Sequence, residues 1–129
     1  MLQSEQDGGV MRLRQLIDMD DCFGFIRRSI EASHEIYRVV DRIEDADGVE
    51  FLCPKCFKIN GGRVGTHAVI CWRPRVPADV DPKPGRWEFL GTNLDDLTLV
   101  AGSSSILLPA GEDGCGAHFF VRSGAIEDA

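Results

Sequence analysis

Apolar residues in the first quarter of the chain recur at helical spacing. Starting at Leu13, they follow one another at three- or four-residue steps, and the later members are Leu16, Met19, Phe23, Ile26 and Ile30. This stripe predicts an amphipathic helix over residues 13–32 that packs on the rest of the domain. Gly24 weakens a helix by about 1 kcal/mol relative to alanine, and Phe23 with Phe25 would also suit a strand. Residues 1–10 are polar and without periodicity, which predicts a flexible leader.

After this stripe the pattern changes to short alternating segments separated by Gly-, Ser- and Asp-rich turns. The predicted strands are 35–40, 49–52, 66–72, 86–90, 97–100, 105–108 and 118–121. Four of the six prolines lie between Trp72 and Trp87, so this stretch predicts an extended loop over the sheet. The expected fold class is mainly β, a small α+β domain. Short antiparallel strands fill a single domain over 11–129, with the N-terminal helix packed on the sheet.

Composition is that of a soluble globular protein. Of the 129 residues, 43% are hydrophobic and 27% are charged, which excludes a disordered chain. No apolar run approaches the roughly 20 residues that a transmembrane helix needs. The first residues have neither the basic start nor the apolar centre of a signal peptide. We therefore expect a cytoplasmic protein that makes no membrane contact.

Charge is distributed unevenly. The net charge of -7 argues against a protein that coats nucleic acid, but residues 53–89 contain 7 basic and only 3 acidic residues. Trp72 and Trp87 could form a nucleic-acid or ligand surface there, because aromatic rings stack on bases and guanidinium groups bind phosphates. The arginines concerned are Arg63, Arg73, Arg75 and Arg86. We favour the simpler interpretation that both tryptophans anchor the proline-rich loop on the sheet.

Two short motifs predict a metal site. Cys53-Pro54-Lys55-Cys56 and Cys115-Gly116-Ala117-His118 each offer two ligands at the spacing from which a tight turn points both side chains at one Zn²⁺ ion. Five cysteines at these positions do not resemble a secreted disulfide framework. We expect a closed Cys3His structural zinc site made by Cys53, Cys56, Cys115 and His118. His67 and Cys71, four apart on a predicted strand, favour core packing, but which of the histidines or Cys71 completes the tetrahedron stays open.

Other chemistry of the cysteine pair is less favoured. A thioredoxin-like dithiol normally begins a helix, whereas Asn60-Gly61-Gly62 after Cys56 is typical of a hairpin and predicts a zinc knuckle. A catalytic zinc requires an open coordination position and a nearby acid or base. The chain has no His-Glu-x-x-His motif, and Glu112 and Asp113 are the only local candidates. These observations predict a non-enzymatic protein.

An ordered series of motifs resembles a family of small Cys/His proteins of tailed bacteriophages and prophages. The motifs are residues 51–57 (FLCPKCF), 66–72 (THAVICW), 84–87 (PGRW), 94–100 (LDDLTLV), 105–108 (SILL) and 114–121 (GCGAHFFV). The chain is similar to the domain of unknown function numbered 6527, whose members are often labelled ammonia monooxygenase. Ala117 and Phe119 depart from this pattern, in which tryptophan and glycine are common. The resemblance implies a phage or prophage origin, zinc ligands at Cys53, Cys56, Cys115 and His118, and no established activity.

The expected function is therefore that of a non-enzymatic, zinc-binding phage structural or accessory protein. It would act through protein–protein interaction in the cytoplasm of a bacterial host or in the virion. The expected partners are other phage or host proteins, with a homo-oligomer as a further option, and nucleic acid is not expected. The competing functions are a ligand-binding or hydrolytic zinc β domain and nucleic-acid binding through residues 53–89.

Overall fold

Strands dominate the computed structural model, which describes residues 10–17, 23–62, 67–82, 85–100, 105–108 and 115–129. In these ranges the strands are β1 Met11–Arg12, β2 Gly24–Glu31, β3 His34–Val39, β4 Gly48–Leu52, β5 Ala68–Trp72, β6 Glu88–Leu90, β7 Thr98–Val100, β8 Ile106–Leu107, β9 His118–Arg122 and β10 Ala125–Asp128. One α-helix, α1, spans Pro54–Ile59, and 3-10 turns span Leu13–Leu16 and Ile43–Asp45. The mainly β fold class is confirmed. Most of the predicted leader, residues 1–9, lies outside the described residues.

The described strands form three antiparallel sheets. One has the order β3-β2-β4-β5, the second has the order β1-β10-β9-β8, and β6 pairs with β7. The largest cluster of buried side chains draws on all three sheets, with Phe51 from β4, Leu99 from β7 and Phe119 from β9. The rings of Phe51 and Phe119 meet edge to face, with centroids 6.2 Å apart. The core therefore joins sheets whose strands are distant in sequence.

The predicted N-terminal helix over 13–32 is wrong. Within the described parts of this stretch, 13–17 and 23–32, Leu13–Leu16 form a single 3-10 turn and residues 24–31 form strand β2, which pairs with β3 from Ile26 to Glu31. Phe25 and Ile26 are adjacent and both buried, and they belong to different clusters, as expected for a strand covered on both faces. Gly24 has a φ of 119°, which a helix interior does not accommodate. Strand pairing therefore outweighs the helical spacing.

The proline-rich segment is a loop held against the sheet, as predicted. Trp72 is fully buried, and its Nε1 donates a hydrogen bond to the Asp81 carbonyl oxygen at 2.8 Å. The guanidinium group of Arg86 closes the loop by donating to the carbonyl oxygens of Val76, Pro77, Val80, Pro82 and Gly85. These five bonds satisfy main-chain acceptors that no strand partner reaches.

A close approach at Gly124 joins β9–β10 to the segment before β7. Gly124 has a φ of 76°, and its amide donates to the Leu97 carbonyl oxygen at 2.8 Å. A Cβ at this position would lie 2.0 Å from the carbonyl oxygen of Asp95. Only glycine fits there, because both the backbone conformation and the space exclude a side chain.

Candidate metal centre

Four side chains from three separate segments of the chain converge at one end of the β4–β5 pair. They are Cys53, Cys56, His67 and Cys115, and their ligand atoms all lie within 4.8 Å of one another. Cys53 is buried, Cys56 and Cys115 are partly buried, and His67 is exposed. The three cysteines are free thiols. This group could hold a metal ion.

Interatomic distances in the group are short and similar. Cys53 Sγ lies 3.5 Å from Cys115 Sγ, and the Nε2 atom of His67 lies 3.3 Å from Cys56 Sγ and 3.6 Å from Cys115 Sγ. Four soft or borderline donors at such separations surround a space of atomic size. The structure therefore brings together three of the four predicted ligand residues and adds His67.

The first cysteine pair is positioned by α1. Cys53 is the N-cap residue, and its carbonyl oxygen accepts the first helical hydrogen bond, from the Phe57 amide at 2.9 Å. Cys56 lies three residues on, about one helical turn away, so both thiols face the same side. Buried Pro54 and Phe57 pack the helix on the core. The predicted hairpin after the cysteine pair is wrong, because the residues that follow Cys53 form helix α1.

This helix removes one of the arguments against a redox dithiol, since the cysteine pair does stand at a helix start. Gly61 and Gly62 have φ values of 74° and 77° and end the helix instead of forming a hairpin. The dithiol is nevertheless not isolated. Cys115 and His67 approach it on the same side, at distances that suit a shared metal ion.

His67 reaches the centre through strand pairing. The β4–β5 ladder ends with the pair Leu52 and Ala68, and the Cys53 amide then donates to the His67 carbonyl oxygen at 3.0 Å. This bond extends the pairing by one step and places His67 opposite Cys53. The sequence favoured core packing for His67 and left it open as an alternative ligand, and in the structure His67 is exposed. The available signal was the antiparallel pairing of segments 49–52 and 66–72, whose ends meet at these two residues.

His118, the fourth predicted ligand, lies outside this group, and the histidine of the group is His67. His118 begins β9, where the alternate residues Phe119 and Val121 are buried in the core and His118 is exposed. Its partner across the sheet is Leu107. Because neighbouring strand residues face opposite sides, the spacing from Cys115 to His118 does not turn both side chains to one ion.

Burial and hydrogen bonding shift the pKa values of the Cys53 and Cys115 thiols in opposite directions. Burial raises the pKa of Cys53 to about 12. Burial also opposes ionisation of Cys115, but hydrogen bonds from the Ala117 amide, from His67 and from the neighbouring thiols lower its pKa to about 7. A metal ion supplies the positive charge that allows all three sulfur atoms to be thiolates together.

Remaining candidates are placed elsewhere. Cys71 is fully buried in the core, and burial raises the pKa of its thiol. This agrees with the packing role predicted for it. Cys22, Glu112 and Asp113 lie outside the described residues.

Comparisons with known proteins identify no relative. No protein-family model matches the chain, and no curated protein or solved structure is significantly similar to it. The phage and prophage family stays an expectation from the motifs quoted above. Within the part of the chain that the structure describes, no helix is long and apolar enough to cross a membrane.

Proposed function

We propose that the protein is a non-enzymatic β domain held together by one structural Zn²⁺ ion at Cys53, Cys56, His67 and Cys115. The observation that carries this proposal is the spacing of the four ligand atoms. In a tetrahedron with sulfur about 2.3 Å and nitrogen about 2.0–2.1 Å from zinc, the edges are about 3.5–3.8 Å. Three of the six distances between ligand atoms, at 3.3–3.6 Å, come close to these edges, and the other three are no longer than 4.8 Å.

Zinc suits this ligand set better than the other common metals. Three thiolates and one imidazole make a soft, tetrahedral environment, whereas calcium and magnesium require oxygen ligands. Iron–sulfur clusters are held mostly by four cysteines. Copper(I) also accepts thiolates, so copper content has to be measured together with zinc content.

The proposed role of zinc is to join segments that the hydrophobic core holds only in part. Cys53 and Cys56 belong to the β4–α1 junction, His67 lies immediately before β5, and Cys115 lies shortly before β9. Lys55 strengthens this junction by donating from Nζ to the Cys115 carbonyl oxygen at 2.7 Å. Structural zinc in small domains binds with about 10–16 kcal/mol, which is comparable to the whole stability of a typical domain.

Four protein ligands support a structural rather than a catalytic role. A catalytic zinc keeps one position for water or substrate, and this set fills a tetrahedron. No carboxylate of the described residues belongs to the group. The proposal therefore assigns no hydrolytic chemistry to the centre.

A nucleic-acid function through residues 53–89 finds little support in the described arginines. Arg73 donates to the carbonyl oxygen of Ile43 at 2.9 Å, and Arg86 is bonded to the five carbonyl oxygens of its loop. Arg75 pairs with Asp47 at 3.0 Å. Because these guanidinium groups are engaged inside the protein, few remain for phosphates. We expect no salt-sensitive binding of DNA or RNA, measured by gel shift at low salt.

An apolar surface on β2 and β3 favours a protein partner. Ile30, Tyr37 and Val39 are 59%, 37% and 46% exposed. They share one face of this hairpin with the ion pair of Arg28 and Glu35. Beyond Ile26 the hairpin extends past its pairing with β4, and β3 is an edge strand of the described sheet. Clustered exposed apolar residues on an edge are typical of interaction surfaces. In the phage setting that the motifs imply, the partner would be a structural or accessory protein.

Metal analysis of the purified full chain tests the zinc proposal. We expect one zinc per chain by mass spectrometry of the metal and a large loss of thermal stability after chelation. A protein that contains no zinc, or contains copper instead, or melts unchanged with a strong chelator would contradict it.

Virion proteomics and a pull-down with the Ile30→Ser variant as control test the interaction role. Absence from particles together with no partner sensitive to this variant would count against that role.

A further inference from the structure

A cleft of about 520 Å³ lies between α1 and the sheet formed by β1, β10 and β9. Its volume is within the range of roughly 300–1,000 Å³ that small-molecule sites occupy. The cleft is formed on one side by the helix and on the other by strands from both ends of the described chain. The cleft is distinct from the metal centre, because none of the four proposed zinc ligands lines it.

The helical wall of the cleft combines cationic and apolar side chains. Lys55, Lys58 and Ile59 line it, and their spacing of three and four residues places them on one side of α1. Ile59 is 74% exposed although it is a large aliphatic residue. The buried Pro54 and Phe57 already attach the helix to the core. The exposed face is therefore not needed for packing.

The opposite wall is mainly apolar. Met11 and Ile126 line it and are partly buried, and both pack against the main core cluster. This wall provides a surface against which an apolar molecule can lose its contact with water. An apolar ligand between this wall and Ile59 would bury both apolar surfaces.

Polar groups in the cleft favour an anion. The ammonium group of Lys58 has no hydrogen-bond or ion-pair partner among the described residues, and the ring of His118 has none there either, although both line the cleft. Lys55 uses one donor on the Cys115 carbonyl oxygen. Asp128 is the one side-chain carboxylate that lines the described cleft, and Ala129, the last residue of the given sequence, lines it as well. Among the described residues, the Lys58 ammonium group and the His118 ring are therefore the available partners for an anion in this cleft.

We propose that this cleft binds a small amphipathic anion. Its single carboxylate, sulfonate or phosphate group would lie against Lys58 and His118, and its apolar body would lie between Ile59 and the strand wall. A site of this kind, apolar with a few convergent polar groups, is the usual form of a ligand pocket. The proposal does not depend on zinc being the metal, or on a phage role for the protein.

The test uses two fluorescent probes of nearly the same shape but different charge. 8-Anilinonaphthalene-1-sulfonate is an anion, and N-phenyl-1-naphthylamine is neutral. We expect both to bind the metal-loaded full chain at a single site, with octanoate displacing the anion better than octanol does. Lys58→Gln should weaken binding of the anionic probe about three- to tenfold, because a charged hydrogen bond is lost at a partly solvated site. It should leave the neutral probe unchanged.

Two further variants and a control make the result decisive. Asp128→Asn should strengthen anion binding about two- to threefold, since it removes a repulsive charge. Ile59→Ser should weaken both probes. Arg27→Gln removes a positive charge from β2, outside the cleft, and should change neither. Equal effects of Lys58→Gln and Arg27→Gln, or equal loss of both probes in Lys58→Gln with unchanged circular dichroism and melting, would overturn the proposal.

Discussion

Replacing His67 by alanine removes one proposed metal ligand, and His118→Ala provides a matched comparison. Both histidines are exposed, both lie at or next to the start of a strand, and only His67 has its ring nitrogen within 3.6 Å of two cysteine sulfur atoms. The two substitutions change size and polarity equally. Any difference between them therefore reports on metal coordination.

The expected loss follows from the energy of the site. If about 10–16 kcal/mol of zinc binding is shared among four ligands, each contributes about 2.5–4 kcal/mol. Losing His67 should then weaken zinc binding about 100- to 1,000-fold. When free zinc exceeds its dissociation constant, the free energy of unfolding falls by the same amount. For a chain of this length we expect Tm to fall by about 8–20 °C.

His118→Ala should leave zinc affinity unchanged and alter stability by about 0.5 kcal/mol or less, as is usual for exposed positions. Competition with a chromogenic chelator gives the zinc affinity of each variant, and differential scanning calorimetry gives Tm. Cobalt(II) substitution adds a spectroscopic measurement, because the intense visible bands of tetrahedral thiolate coordination should weaken in His67→Ala alone.

The reverse pattern would refute the structural assignment. Loss of zinc in His118→Ala with retention in His67→Ala would mean that the Cys115-x-x-His118 motif binds as the sequence first predicted. Full zinc affinity in both variants would show that neither histidine is a ligand. A cobalt spectrum unchanged in both would lead to the same conclusion.

Three further predictions concern the fold and the thiols. Gly124→Ala should lower the free energy of unfolding by about 3 kcal/mol or more, whereas Gly61→Ala, at a similar φ of 74° but in open space, should lower it by about 1 kcal/mol. Urea unfolding measures both losses, and equal losses would contradict the close approach at Gly124. Arg86→Lys keeps the charge but loses the planar fork of donors, so the free energy of unfolding should fall by about 1–3 kcal/mol. Proteolysis within residues 73–87 should become faster, and an unchanged cleavage rate would argue against the loop contacts. Chelation should expose the three cysteine ligands to iodoacetamide and leave buried Cys71 unlabelled; labelling of Cys71 in the folded protein would contradict its burial.

Local pattern predicted the strands well where one face is buried. Segments 97–100 and 118–121 alternate between buried and more exposed positions, and the structure has strands there. Alternation identifies a strand because its period of two is built into the backbone. The mainly β character and the proline-rich loop could be predicted on the same grounds.

Local pattern failed at β2 because one spacing fits two structures. Ile26 and Ile30 are four residues apart, which puts them on one face of a helix and also on one face of a strand. In the structure they lie on the same side of β2, where Ile26 is buried and Ile30 is 59% exposed. The hairpin with β3 and the contacts of Phe25 decide that this segment is a strand and not a helix. Both involve residues outside the stripe. Such contacts have no signature in a single segment.

Sequence alone determined the chemistry of the candidate centre. Cysteines spaced two apart, with a third near the C-terminus, predict a metal site from the properties of thiols, and Cys53, Cys56 and Cys115 are together in the structure. Only the tertiary structure decided the fourth member of the group. The β4–β5 register carries His67 to Cys53, while the alternation of β9 turns His118 away. Ligand type is a property of a residue, whereas coordination depends on the direction of its side chain, which is set by strand pairing across the fold.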